Sequence, residues 1–147
     1  MRDVAQQLRS LQQSFDVFDE AAAGRLGINR TDLRCLDLVL GAEALSAGEL
    51  SAALRLSPAA TTTVIDRLER AGLVARTRDE ANRRRVLVTP TDAARAAEAE
   101  VYLPVGEAGA EALGRYDEEQ LAVILDFLRA AREVQEAQAA RLGVQEG

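Results

Sequence analysis

Two signals for the start of a helix lie eleven residues apart, and this spacing limits the fold more than any other feature of the chain. Ser46 followed by Glu49 forms the pattern of a capping box, in which each side chain binds a backbone amide of the other residue. Ser57 followed by Pro58 predicts a second start, because serine caps helices and proline is favoured at the first helical position. Gly72 predicts the end of the second helix. The sequence therefore predicts a short helix, a tight turn and a longer helix.

Two β-type runs follow the second helix directly. Residues 73–77 and 85–89 alternate in character, and residues 78–84 between them are polar and charged. This pattern predicts a two-stranded hairpin, called the wing below, with an arginine-rich tip. The predicted fold class is mainly α with a small β-hairpin wing, in which residues 30–91 form a winged helix-turn-helix DNA-binding lobe.

Apolar stripes mark the helices predicted at both ends of the chain. Apolar residues recur at helical spacing in residues 4–18 and again in residues 121–134. Narrow stripes of this kind suit packing against another helix. The length of the chain predicts a single domain over residues 1–147, with helical segments at 1–24 and 92–141 flanking the central lobe.

The charge of the chain is unevenly distributed. The net charge is −6, but residues 67–85 hold seven arginines and three acids, a local charge of +4. The rest of the chain therefore carries −10. An acidic body with one basic module is typical of a DNA-binding protein, because the module neutralises phosphate while the body repels the duplex. A solvated helix face beside a charged hairpin would give the same pattern.

The start of the second predicted helix carries small and polar side chains, as entry into the major groove requires. Threonines there could bind a base edge or a phosphate, or touch a thymine methyl group. Amides at the helix start favour a phosphate, and arginines at the wing tip suit the narrow minor groove. The candidate DNA-binding residues are Ser57, Pro58, Ala59, Ala60, Thr62, Thr63, Arg67, Arg76, Arg78, Arg83, Arg84 and Arg85.

The same part of the chain resembles a known family. The stretches Leu56–Pro58, Val64–Val74, Arg78–Arg84 and Val88–Thr91, together with Thr62, resemble the core of MarR-type (multiple antibiotic resistance regulator) transcription factors. The wing of this family usually carries a second acid at the position where this chain has an asparagine, residue 82. The flanking helices are similar to those of the family in order and length.

The resemblance implies a homodimer that binds double-stranded DNA. Two recognition helices and two wings would address a pseudo-palindromic operator, and residues 1–24 and 92–141 would form the dimer region. The apolar stripes fit that role independently, since an isolated monomer would leave them partly exposed. The family also implies a ligand cleft and a regulator, usually a repressor, that a small-molecule effector releases from DNA.

Asp66 is an unusual residue for a recognition helix, because its charge repels phosphate. We interpret it as the intramolecular partner of a wing arginine, with Arg84 as the first candidate. Asp79 is a second carboxylate that could hold Arg84. A plain surface charge at position 66 is the alternative.

Four other residues have two interpretations each. Phe15, Phe18 and Tyr102 could line a pocket for a small aromatic or phenolic effector, or they could simply pack in the core. Cys35 could make the protein a redox-sensing regulator, but its position among leucines favours a buried thiol that acts as a small hydrophobic residue.

The residue types exclude several other functions. The chain has no histidine and one cysteine, so Ser-His and Cys-His nucleophile systems and cysteine zinc cages are excluded. We therefore predict no enzyme activity, no metal and no cofactor.

No apolar run approaches the roughly 20 residues of a membrane span, and the start of the chain lacks a signal-peptide core. These two features predict a cytoplasmic protein without a membrane partner. A winged-helix module that binds an acidic protein is the alternative function.

Overall fold

The computed structural model describes residues 1–143, and within them the chain forms six helices and three strands. The elements are α1 (Arg2–Leu26), α2 (Arg30–Ala42), β1 (Leu45–Ser46), α3 (Ala47–Leu54), α4 (Pro58–Arg70), β2 (Val74–Arg78), β3 (Val86–Pro90), α5 (Asp92–Leu113) and α6 (Glu118–Gly143). The predicted fold class, mainly α with a small winged sheet, is confirmed. Residues 144–147, the end of the predicted domain, lie outside the described residues.

Side-chain caps define where the helices of the central lobe begin. The Ser46 hydroxyl accepts a hydrogen bond from the Glu49 amide at 3.2 Å, and the Glu49 carboxylate accepts one from the Ser46 amide at 2.7 Å. The Ser57 hydroxyl accepts from the amide of Ala60 at 3.2 Å, with Pro58 as the first residue of α4. Both predicted starts are therefore confirmed, since each cap satisfies amides that the helix leaves free.

The sheet contains one more strand than the sequence pattern predicts. Its order is β1-β3-β2, with both pairs antiparallel, and Leu45 and Arg76 both pair with Val88. β2 and β3 each lie one residue later than predicted. The two-residue strand β1 is too short to show alternation, so only the pairing with β3 reveals it.

The core of the central lobe is made of aliphatic residues from α2, α3, α4 and the sheet. The α4 residues that face the core are buried, as predicted: Thr61, Val64, Ile65 and Leu68. Leu36, Leu50 and Val88 pack into the same cluster. This burial fixes which side of α4 faces outward.

Helix α1 extends past its predicted boundary. The helix continues through Gly24 to Leu26, and Gly27 ends it in the left-handed conformation at φ 68°. One glycine inside a helix is tolerated at a cost of about 1 kcal/mol, whereas a left-handed C-cap position favours glycine directly. The first helical segment is therefore residues 2–26 rather than 1–24.

The chain divides into two compact units, residues 1–103 and the residues from Pro104 onward. Within the described residues, the second unit has no buried side chain. Its large exposed apolar side chains are Val105, Leu113, Val123, Leu125, Phe127, Leu128, Val134 and Leu142. In the first unit, α1 also exposes Val4, Leu11, Phe15 and Val17. No helix within residues 1–143 is long and apolar enough to cross a membrane.

Candidate nucleic-acid interface

The start of α4 presents small side chains to solvent. Pro58, Ala59, Thr62 and Thr63 are exposed, and Ala60 is half-buried. Their outward position follows from the burial of the opposite face of the helix. The structure thus brings together the predicted groove-facing residues on one accessible surface.

Three consecutive threonines of α4 all bind the backbone behind them. The Thr62 hydroxyl donates to the carbonyl of Pro58 at 3.0 Å, and the Thr63 hydroxyl donates to the carbonyl of Ala59 at 3.1 Å. The buried Thr61 donates in the same way to Ser57, at 3.0 Å, and its oxygen also accepts a 2.8 Å hydrogen bond from Ser51 of α3. The last contact ties α3 to α4 across the turn.

Arg67 binds a carboxylate of this chain, which differs from its predicted role at a phosphate or guanine. Its Nε lies 3.0 Å from both carboxylate oxygens of Asp32, and its Nη2 lies 2.6 Å from Oδ1. Asp32 is only 2% exposed, and these hydrogen bonds raise the pKa of Arg67. The pair fastens α4 to the start of α2, because a buried carboxylate needs a charged partner.

Asp32 was not among the predicted site residues. It occupies the third position of α2, where it forms a capping box with Asn29. An acid in the first turn of a helix is common for dipole and capping reasons, so the sequence offers no signal that this one also binds α4.

Asp66 holds a wing arginine, as predicted, but that arginine is Arg76 and not Arg84. Asp66 accepts a hydrogen bond from Arg76 Nη2 at 2.6 Å, and Arg76 also binds Glu69. Hydrogen bonding to Asp66 is the main cause of the raised pKa of Arg76. Arg76 lies on β2, the element that follows α4 in the chain, whereas Arg84 lies in the loop of the wing. Arg76 therefore joins the wing to α4.

The prediction that Asp79 holds Arg84 is also wrong, because the neighbouring arginine takes that place. Arg85 lies 2.8 Å from the Glu49 carboxylate and 3.9 Å from that of Asp79. The pKa of Glu49 is lowered, first by the Ser46 amide and then by the Ser46 hydroxyl and Arg85. Arg85 thus connects the wing to the start of α3.

Two side chains close the turn of the wing through the backbone. Asp79 Oδ1 accepts from the amide of Ala81 at 2.9 Å, and Asn82 Oδ1 accepts from the amide of Arg84 at 3.2 Å. Asn82 therefore shapes the loop locally, as asparagine commonly does in turns. Arg78, Arg83 and Arg84 are exposed and make no ion pair within residues 1–143.

Two of the three predicted pocket aromatics meet. The rings of Phe18 and Tyr102 pack edge to face with centroids 5.6 Å apart, whereas Phe15 is 58% exposed. The Tyr102 hydroxyl is buried without a hydrogen-bond partner in the described part of the chain, and burial is the main cause that raises its pKa to about 12. Phe18 packs against the small cluster of Ala22, Ala23 and Leu33, which supports core packing for this pair.

A cavity of about 380 Å³ has a different lining from the predicted one. Its walls are Asp19, Arg30, Thr31, Leu33, Arg34, Asp37, Leu54 and Leu56. Burial, reinforced by the charges of Asp19 and Glu98, raises the pKa of Asp37 to about 6. The aromatic trio is absent from this lining, so the sequence pattern did not find the cavity.

Cys35 is fully buried, at 0% exposure, in the core of the central lobe. Burial, with a smaller effect from Asp32, raises the pKa of its thiol to about 11. A redox sensor needs an accessible thiolate, so both observations argue against the redox alternative. Within residues 1–143 no group of three or more His, Cys, Asp or Glu side chains is arranged to hold a metal ion.

Comparisons with known proteins agree with this geometry. Residues 28–86 match the model of the MarR family. The chain is 35% identical over 141 residues to the HTH-type transcriptional regulator YcgE of Bacillus subtilis, covering 96% of this chain and 92% of that protein. A MarR family protein from Bacillus stearothermophilus has a TM-score of 0.70 and 25% identity, covering 92% of this chain and 94% of its own. Apo MarR from E. coli, at 22% identity, has the same fold with a TM-score of 0.61 over 86% of this chain and 94% of its own.

Proposed function

Because the chain belongs to the MarR family of transcriptional regulators, we propose that it is a homodimeric repressor that leaves a pseudo-palindromic operator when a small effector binds. The observation that carries this proposal is the outward face of α4 together with the unpaired arginines of the wing. A helix start that enters the major groove needs small side chains, and the minor groove attracts uncompensated arginine.

The contacts divide the predicted interface residues into two groups. We assign DNA contact to the exposed start of α4 and to the unpaired arginines, namely Ser57, Pro58, Ala59, Ala60, Thr62, Thr63, Arg78, Arg83 and Arg84. Arg67, Arg76 and Arg85 hold the recognition helix and the wing in place, since each already binds a carboxylate of this chain.

Exposed apolar surface supports the homodimer. α6 has no buried residue, although its stripe includes Leu125 and Leu128, each nearly half exposed. Exposed apolar area of this extent is typical of an interaction surface. We propose that α1 and α6 of one protomer are covered by the same helices of its partner, because a symmetric dimer uses the same surface on both subunits.

The dimer is tested by replacing Leu125 and Leu128 together with glutamate. Sedimentation should show a dimer for the unchanged protein and a monomer for this variant, because two buried charges oppose association. Ala130→Glu is the matched control, since it adds a charge at an exposed position on another side of α6. A monomeric unchanged protein at micromolar concentration contradicts the proposed dimer.

DNA binding is tested by selection of duplexes from a random-sequence library. The protein should enrich a pseudo-palindromic sequence and bind it at least about a thousandfold more tightly than random DNA. Equal affinity for the selected and the random duplexes, measured by fluorescence anisotropy at fixed salt, contradicts the proposed function.

For the effector, we propose the cavity lined by Arg34. Arg34 makes no ion pair within residues 1–143, whereas Arg30 is held by Asp16 and Asp19, so the Arg34 guanidinium is the group that would bind the carboxylate of a small aromatic acid. A ligand found by thermal shift among such acids and phenols should weaken binding to the selected duplex, with a coupling of about 1–3 kcal/mol. A ligand that stabilises the protein but leaves that affinity unchanged contradicts release by a ligand at this cavity.

A further inference from the structure

The first two turns of α4 lack every side chain that commonly reads bases through paired hydrogen bonds. Residues 58–65 read Pro-Ala-Ala-Thr-Thr-Thr-Val-Ile, whereas direct readout in the major groove usually relies on arginine, lysine, asparagine or glutamine. Polar side-chain groups near this end of α4 are therefore limited to the threonine hydroxyls and the hydroxyl of the Ser57 cap.

The longer polar side chains of α4 are engaged or distant. Arg67 binds Asp32, whereas Asp66 and Glu69 both bind Arg76. Arg70 is the last residue of the helix, roughly 18 Å along the axis from Pro58 at 1.5 Å per residue. None of these four side chains is placed to read a base edge at the start of α4.

The hydroxyl hydrogens of Thr62 and Thr63 are engaged as well. Thr62 and Thr63 donate to the carbonyls four residues earlier, at 3.0 and 3.1 Å. This hydrogen bond selects one of the two side-chain rotamers that threonine adopts in helices. With the oxygen against the backbone, the methyl group is the outward heavy atom of each exposed side chain.

We propose that Thr62 and Thr63 recognise thymine in the operator through their methyl groups, while their hydroxyls donate to the helix backbone and not to a base. The inference rests on the proposed function, because it assumes that α4 enters the major groove. Thymine alone among the four bases presents a methyl group there. A Thr–thymine contact excludes water from two methyl groups, so it distinguishes thymine from cytosine without a hydrogen bond.

The experiment uses the full-length protein and its selected duplex, in which deoxyuridine replaces thymine one position at a time. Deoxyuridine lacks only the methyl group, so base pairing stays intact. At one or more positions in each half-site the affinity should fall about fourfold, the value expected for one buried methyl group.

Paired variants separate the methyl group from the hydroxyl. Thr62→Val and Thr63→Val keep a methyl group and lose the hydroxyl, so they should bind within about twofold of the unchanged protein and stay sensitive to deoxyuridine. Thr62→Ser and Thr63→Ser lose the methyl group, so each should bind about fourfold more weakly and become insensitive at its own position. Thermal melting of each variant, with Thr61→Val as a buried comparison, separates a loss of contact from a loss of fold.

The possible results distinguish this inference from the proposed function. If deoxyuridine has no effect at any position, or if the valine variants lose as much affinity as the serine variants, the hydroxyls or another group read the DNA and the inference is wrong while the function stands. If the unchanged protein enriches no duplex at all, the proposed function fails and the inference fails with it.

Discussion

Helix α4 and the wing are both assigned to DNA contact, but the protein holds them differently. α4 buries four side chains in the core and is fastened by Asp32 and Ser51. The loop of the wing, residues 79–85, has no buried side chain and takes its shape from backbone-binding side chains and the ion pairs of Arg85.

Because of this difference, substitutions in the two regions should change different quantities: the folding stability of the protein for the supports of α4, and the affinity for DNA for the wing loop. Changes to the supports of α4 should act mainly on folding, because they disturb buried groups. Changes to the wing loop should act mainly on DNA binding, because its arginines are exposed and contribute little to the folded state. Each of the following variants tests one side of this comparison.

The largest effect is expected for Asp32→Asn. The change removes the charge that pairs with Arg67, and hydrogen bonds to charged groups contribute about 1.5–3 kcal/mol. We expect a loss of about 2 kcal/mol in the free energy of unfolding, measured by urea denaturation. Asp16→Asn, at an exposed ion pair with Arg30, should change the same quantity by less than about 0.5 kcal/mol. If both substitutions lowered the free energy of unfolding equally, the Asp32–Arg67 pair would support the fold no more than an exposed ion pair does.

Next in size are Arg83→Ala and Arg84→Ala in the wing. Each removes a charge that no carboxylate of residues 1–143 compensates, so the slope of log affinity against log salt should flatten by about one unit per charge removed. Arg85→Ala is the matched comparison, since Glu49 already neutralises that side chain. If Arg85→Ala changed the salt slope as much as Arg83→Ala, pairing with a carboxylate would not determine which wing arginines neutralise phosphate.

A smaller effect is expected for Arg76→Ala, which disconnects the wing from α4. Its partners Asp66 and Glu69 are partly exposed, so the cost in unfolding free energy should be at most about 1 kcal/mol. DNA affinity should fall with little change in salt slope, because the lost charge is compensated in the free protein. A flattening equal to that of Arg83→Ala would instead place Arg76 at the DNA.

The smallest effect concerns pH. The folded state lowers the pKa of Glu49 below its usual 4.5, so the stabilisation from this carboxylate is complete above that value and is lost as the pH falls through the folded pKa. Glu49→Gln should therefore weaken the pH dependence of the melting temperature below pH 4.5 and leave its shape unchanged near neutral pH. An unchanged acid limb in the variant would mean that the Ser46 cap and Arg85 do not stabilise the Glu49 carboxylate in the folded state.

Short sequence patterns predicted the helices and the wing of the central lobe well, because the interactions that begin and end these elements join residues only a few positions apart. A serine cap binds an amide three residues away, and Gly72 adopts a left-handed conformation (φ 74°) just after the end of α4, so Ser46, Ser57 and Gly72 were sufficient. The inward face of α4 followed from the spacing of its apolar residues. The strand β1 was missed because two residues carry no periodicity.

The partners of the arginines could not be predicted in the same way. Arg67 meets Asp32 across 35 positions, and Arg85 meets Glu49 across 36. Every arginine carries the same charge in the sequence, and only the packing of α2, α3 and the sheet around α4 decides which one reaches a carboxylate.

The sequence by itself determined the order of the helices, the wing and the family, because caps, turns and apolar spacing act over a few residues. The tertiary structure decided which polar groups remain available to a partner. It engaged Arg67, Arg76, Arg85 and the threonine hydroxyls, and it left Arg78, Arg83 and Arg84 unpaired among the described residues. Hydrogen bonds and ion pairs need atoms within about 3–4 Å, and distances between elements exist only once the chain has folded.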